Sequence, residues 1–272
     1  MRRIAVLVAL AGCGSDEAPG DAGEARTGTF RSGDIDLSYA LDLPPGDGPF
    51  PGAVLVHGSG RTRKEELVPL SRNLVQRGLA VIRFDKRGAG GSGGVYSGVG
   101  VMNSPEMIPL LAGDVAAAVD FLAGRPELDG ERLGLVGASQ AGWIIPVAAQ
   151  LSPGVRFAVV LVGPTVSVGR EIYFSSLVEA TDLPLSEAEL QLEGFDGPEG
   201  FDPRPYLEEL QASSLWLYGL VDRSIPTQAC LAVHESIPAG AARELVVYPE
   251  LGHGLGPSIW SDVNPWLDAT LD

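Results

Sequence analysis

The sequence predicts an α/β protein with a mainly parallel sheet, helices on both faces, an N-terminal antiparallel hairpin and a small helical cap inserted late in the chain. Three observations carry this. Two alternating segments, Thr27–Arg31 and Ile35–Leu43, are separated by Ser-Gly-Asp, a hairpin signal. Short apolar runs then alternate with stretches of helical periodicity. One interruption, residues 164–212, is far longer than the ~2–6 residues that usually join a strand to a helix.

In chain order, Pro44-Pro45-Gly46-Asp47-Gly48-Pro49 is a loop and Ala53–Val56 the first core strand. Leu67–Arg77 carries apolar residues at 67, 70, 74 and 75 and stops at Gly78, a helix with a glycine C-cap. Ala80–Phe84 is a strand that leads into a glycine-rich loop, and a helix follows around Met107–Ala123. Arg132–Val136 feeds a helix at Gln140–Leu151; Phe157–Val162, Ser214–Tyr218 and Leu245–Tyr248 complete the strands. Helices at Thr227–Ser236 and Ile259–Leu271 close the pattern. The cap contributes helical segments at Glu171–Ala180 and Ser186–Glu193, with Tyr173, Phe174, Phe195 and Tyr206 to bury.

Charge narrows the functional classes. Of 272 residues, 19 are Lys or Arg and 35 Asp or Glu, a formal net charge of −16. Such a surface repels nucleic acid and an anionic membrane face. What remains is an acidic, globular domain.

The N-terminus reads as an address. Met1-Arg2-Arg3 is a basic n-region, Ile4–Leu10 a short apolar stretch, and Leu10-Ala11-Gly12-Cys13 resembles the bacterial lipobox. That resemblance implies a signal peptide over residues 1–12, lipidation of Cys13, and an exported protein anchored at the bacterial cell envelope. Residues 13–26 then form an acidic tether rich in Gly, Ala and Pro, and residues 27–272 the folded domain. Membrane association would run only through Cys13, which leaves Cys230 without a disulfide partner.

Two serines lie in glycine-rich frames. Gly90-Gly91-Ser92-Gly93-Gly94 has the spacing of a nucleophile elbow, but no strand runs directly into it and no helix follows. Ser139 has that context: Leu133–Val136 is a strand, Gly137-Ala138-Ser139-Gln140-Ala141-Gly142 the turn, and Trp143–Leu151 a helix. Small residues at 137 and 141 suit a sharp, crowded turn.

Of the three histidines, His253 follows the last strand in a flexible loop, where a general base can reach the serine. His234 falls mid-helix and reads as a solvated residue. His57 ends the first core strand, but the Gly58-Ser59-Gly60 after it suits a turn of backbone donors. Asp222, after the Leu215–Tyr218 run, is the carboxylate expected to orient His253, with Glu250 as runner-up. Main-chain N–H groups of Ser59 and Gln140 are the candidate oxyanion donors. No ligand-spaced cluster calls for a metal, and no cofactor is expected.

These motifs together resemble the α/β-hydrolase superfamily. The carriers are His57-Gly58-Ser59-Gly60, Asp85-Lys86-Arg87-Gly88-Ala89-Gly90-Gly91-Ser92, the 137–142 turn, Asp222 and His253, in the family order Ser, Asp, His. The loop from Asp85 to Ser92 is similar to that of the serine-aminopeptidase and acylaminoacyl-peptidase-like branch, many of whose members are carboxylesterases. The resemblance implies a serine hydrolase working through an acyl-enzyme on a small-molecule ester or amide, with Asp85 and Ser92 shaping a loop. An aminopeptidase-like reading would need a glutamate pair in the cap, for which Glu187, Glu189, Glu193, Glu208 and Glu209 are candidates. A surface lipoprotein that keeps the fold only for binding is the third reading.

Overall fold

The computed structural model describes residues 25–181, 183–238 and 242–272, so the expected signal peptide and Cys13 lie outside the described residues. Arg26, assigned to the tether on sequence, is instead the first residue of a strand and pairs with Leu41.

Strands β1 (Arg26–Ser32) and β2 (Ile35–Asp42) form the expected hairpin, and Gly33 takes φ 57° in the two-residue turn. β3 (Phe50–Val56), α1 (Val68–Gln76) and β4 (Ala80–Phe84) follow, then α2 (Ser104–Ala123), β5 (Leu128–Ala138), α3 (Ala141–Leu151) and β6 (Val155–Leu161). Three cap helices come next: α4 (Val168–Thr181), α5 (Leu185–Glu193) and α6 (Arg204–Glu208). β7 (Ser213–Gly219), α7 (Thr227–Ser236), β8 (Arg243–Tyr248) and α8 (Trp260–Leu271) complete the chain. Helix α2 begins earlier than the apolar pattern suggests, because Pro105 sits in its first turn, where no backbone N–H is required. Gly78, at φ 86°, ends α1 as expected.

The eight strands among the described residues form one sheet in the order β1-β2-β4-β3-β5-β6-β7-β8. Pairings β1–β2 and β2–β4 are antiparallel and the rest parallel. Strand alternation covers both faces: Val54 and Val56 pack with α2, α3 and α7 side chains, while Ala53 and Leu55 pack with those of α1 and α8. The cap has its own small cluster of Phe174, Val178, Ala188 and Leu192.

From β3 the chain crosses through α1 to β4 on one side, then returns through α2 to β5 on the other. Order therefore reverses between β3 and β5, whose Val56 and Gly137 are register partners. In such sheets the crevice outside the carboxyl ends at the reversal is where ligands bind. The segments after β3 and β5 carry His57 and Ser139.

His234 corrects the sequence reading. It is buried rather than solvated, because its face of α7 packs against β7: its ring lies 4.8 Å from Trp216, and its Nε2 is 3.1 Å from the Tyr218 hydroxyl.

Candidate active site

Ser139 follows the last residue of β5 with φ 57°, a left-handed conformation that costs a serine about 1–3 kcal/mol and persists only where its surroundings enforce it. They do so here. Its N–H donates to Leu161 O at 2.9 Å, and its carbonyl accepts from Gly142 N at 2.8 Å. A Cβ on Gly137 would lie 2.6 Å from both Val56 O and the Ala141 side chain, so the turn cannot take a larger residue there. A Cβ on Gly142 would meet the Gly163 backbone at 2.6 Å, which explains how closely α3 approaches the segment after β6.

Asp222 and His253 reach the same edge from β7 and β8. Their loops are stitched together by backbone bonds, Leu220 N to Tyr248 O at 3.0 Å and Val221 N to Leu251 O at 3.1 Å. Asp222 is buried; its Oδ1 accepts from the N–H groups of Ser224 (2.7 Å) and Ile225 (2.9 Å). Its Oδ2 accepts from His253 Nδ1 at 2.8 Å. A carboxylate there requires the proton on Nδ1, which leaves Nε2 as the basic nitrogen. Glu250, the sequence runner-up, is exposed, and the position at Nδ1 is taken by Asp222. Asp222 and His253 are thus joined directly. Ser139 is brought to the same edge by the backbone, and among the described hydrogen bonds none links its hydroxyl to His253. Such bonds often close only when substrate binds.

The loop after β3 borders this turn: a Cβ on Gly58 would sit 3.8 Å from Ser139 Cβ. Among the described hydrogen bonds, neither Ser59 N–H nor Gln140 N–H donates to another group of the protein. His57 is no candidate base. It is buried, its Nε2–H donates to Phe84 O at 2.6 Å, and its pKa is lowered to about 3 by burial and then by the nearby Lys86 charge. It ties the ends of β3 and β4 together as a neutral ring.

Lys86 escaped the sequence reading. It is buried at the loop after β4, with Nζ 2.8 Å from Gly58 O, 2.7 Å from Gln140 Oε1 and 4.1 Å from the Tyr96 ring centre. Burial lowers its pKa to about 7 against the opposing pull of Asp114. The available signal was its place between two motif residues, Asp85 and Arg87, both of which make structural ion pairs.

Beneath the cap a cavity of about 990 Å³ reaches Asp222. Its wall includes Glu189, Glu193, Glu199 and Asp202 against Arg170 and Arg204. Glu189 accepts from Gln228 N (3.0 Å) and Ala229 N (3.3 Å) at the start of α7, so this cap acid joins cap to core; Glu187, Glu193, Glu208 and Glu209 are exposed. Trp143 Nε1 donates to Val166 O at 2.8 Å and anchors the base of the cap beside the Ser139 turn.

Residues 52–189 match the family described as serine aminopeptidase, S33. Human acyl-coenzyme A thioesterase 1 is 26% identical over 235 residues, which cover 80% of this chain and 52% of the relative; the chain thus spans about half the length of the curated relatives it matches. The fold is similar to that of a 2,6-dihydroxy-pseudo-oxynicotine hydrolase (TM-score 0.68, 20% identity, 91% of this chain and 68% of that one). It is also similar to that of acetyl xylan esterase 1 from Thermoanaerobacterium (TM-score 0.67, 20% identity, 94% and 87%).

Proposed function

The chain belongs to the serine aminopeptidase (S33) family of α/β-hydrolases, and on that premise we propose that it is a serine hydrolase cleaving carboxylic esters through an acyl-enzyme. Ser139 Oγ attacks the carbonyl carbon while His253 Nε2 takes its proton; the ester C–O bond then breaks, and His253 returns the proton to the departing alkoxide. Water attacks the acyl-Ser139 ester with His253 again as base, releasing the acid and restoring the serine. Asp222 holds the imidazole in its tautomer and stabilises the imidazolium. Ser59 N–H and Gln140 N–H receive the oxyanion.

The observation that carries this reading is the Asp222–His253 bond at 2.8 Å, which leaves a basic nitrogen at the edge where a strained Ser139 is presented. A coenzyme A thioester is the weaker substrate, because its phosphates would meet a chain of net charge −16. An aminopeptidase-like action is the second reading, favoured by the same negative charge, which would suit a cationic amine.

The test is a fluorophosphonate probe on the full chain in detergent, with peptide mass spectrometry. Labelling at Ser139 that His253→Ala abolishes is the expected result; labelling at Ser92, or none in folded protein, overturns it. Turnover of aminoacyl amides but not short acyl esters would move the assignment to the peptidase reading. The lipid anchor at Cys13 is proposed on the lipobox resemblance alone. Cys13→Ser should move the protein from the detergent phase to the aqueous phase on phase separation.

A further inference from the structure

We propose that Lys86 is a positioning residue for the oxyanion hole, clamping both of its donors from behind. The proposal rests on the serine-hydrolase reading above and adds a residue to it. Lys86 Nζ donates to Gly58 O at 2.8 Å. That carbonyl and the Ser59 N–H belong to one planar peptide unit, and in a trans peptide they point in opposite directions. A donor bound to the oxygen therefore fixes the direction of the N–H on the other side. A cation there also draws electron density toward the carbonyl and makes the N–H a stronger donor. The same Nζ donates to Gln140 Oε1 at 2.7 Å, and Gln140 supplies the second candidate N–H. One ammonium thus spans the two loops, after β3 and after β5, that must stay in register for an oxyanion to meet two donors at once.

The surroundings favour this arrangement. The Tyr96 ring lies beneath the ammonium at 4.1 Å, and the Tyr96 hydroxyl donates to the same Gln140 Oε1 at 3.5 Å. No carboxylate forms an ion pair with Lys86 among the described residues, although acids stand nearby. Asp114, on α2, is engaged by Arg87, and Asp85, at the end of β4, by Lys64. His57, at the end of β3, is neutral. A buried cation resting on a carbonyl, an amide oxygen and a ring is costly to keep, and its field remains available to the peptide it touches. Because burial brings its pKa to about 7, the charge is lost just above neutrality, and the polarising share of its effect goes with it.

The experiment compares wild type, K86M, K86R and Q140L as full-length protein, using a p-nitrophenyl acyl ester, a trifluoromethyl ketone that forms an oxyanion adduct, and fluorophosphonate labelling. K86M should lower kcat about 10–100-fold with KM within about threefold, since removing a whole oxyanion donor costs about 10²–10³. Ketone affinity should fall by the same factor as kcat. K86R should recover most of the loss, and the fall in wild-type kcat above about pH 7 should be absent in K86R and K86M. Q140L, which leaves the lysine in place, lowers kcat and ketone affinity together at smaller amplitude while keeping the fall above about pH 7, and serves if K86M does not fold. Wild-type labelling at Ser139 with unchanged kcat, ketone affinity and pH profile in the folded variants overturns the role of Lys86 alone. Wild type that neither labels nor turns over ester overturns the serine-hydrolase reading, and this proposal with it.

Discussion

Two serines stand in glycine frames after β4 and β5, which flank β3 in one sheet, and the fold uses them in opposite ways. The Ser92 hydroxyl donates to Asp85 O at 2.6 Å and accepts from Ser38 N at 2.9 Å. Asp85 itself accepts from Lys64 N (2.8 Å), Lys64 Nζ (2.9 Å) and Gly91 N (2.7 Å). Burial pushes its carboxyl up, but those donors outweigh it and hold the carboxyl below its ordinary range. At Ser139 the backbone is bonded and strained, while the hydroxyl makes no hydrogen bond among the described residues. Glycine spacing alone therefore does not identify a nucleophile. What distinguishes the two is the element on either side: a strand running straight into a helix turns the serine outward, whereas a loop folding back on its own aspartate turns it inward.

The sharpest way to break the comparison is S139A. Esterase turnover should fall about 10⁴–10⁶-fold, as when a nucleophile that acts as part of a unit is removed, with the melting temperature unchanged or slightly raised. Retained turnover in S139A would mean that the strained turn is not the reactive one. Next in size, D222N should lower kcat about 10³–10⁴-fold with KM little altered, because an amide at that position no longer enforces the Nδ1–H tautomer of His253. A loss under tenfold would show that the buried Asp222 only braces the loop through Ser224 and Ile225.

Much of this was legible in the sequence. The β/α alternation, the Gly33 turn and the Gly78 stop depend on local chemistry, and the candidate Ser139, Asp222 and His253 each follow a strand that periodicity could find. The unread parts are non-local. His234 looked solvated because helical position says nothing about which neighbour covers it, and β7 supplies Trp216 and Tyr218 there. Lys86 went unnoticed because a lysine in a polar loop reads as exposed; its burial depends on Gly58, Tyr96 and Gln140 converging from three other segments.

The frame that carries both serines should weaken in acid before the chemistry is touched by any mutation. Burial lowers His57 and His234 to about 3, so the folded protein keeps both rings neutral while an unfolded histidine titrates near 6.5. Their contribution is complete well above pH 6.5 and is lost as pH falls toward 3, by about 2 kcal/mol per ring between pH 7 and 5. Denaturant midpoints at pH 7 and 5 measure this, and H234L should remove about half the slope; a midpoint independent of pH over that range would contradict the neutral rings.

The smallest effect expected is the one that separates the two serines most cleanly. S92A removes a hydroxyl that satisfies the Ser38 N–H and donates to Asp85 O, leaving two polar backbone groups short of a partner at the root of the loop. Each such group costs about 1–3 kcal/mol when buried and less where water can enter, and Ser92 is half-buried, so the total should fall near the low end. For a chain of this size that is a drop of a few degrees in melting temperature. Turnover per folded molecule should stay within about threefold of wild type, and fluorophosphonate labelling of Ser139 should be undiminished. If S92A instead lowers kcat as steeply as K86M while stability holds, the loop after β4 acts on the oxyanion donors through Lys86, and the contrast between the serines becomes one of distance from the reacting atoms rather than of kind.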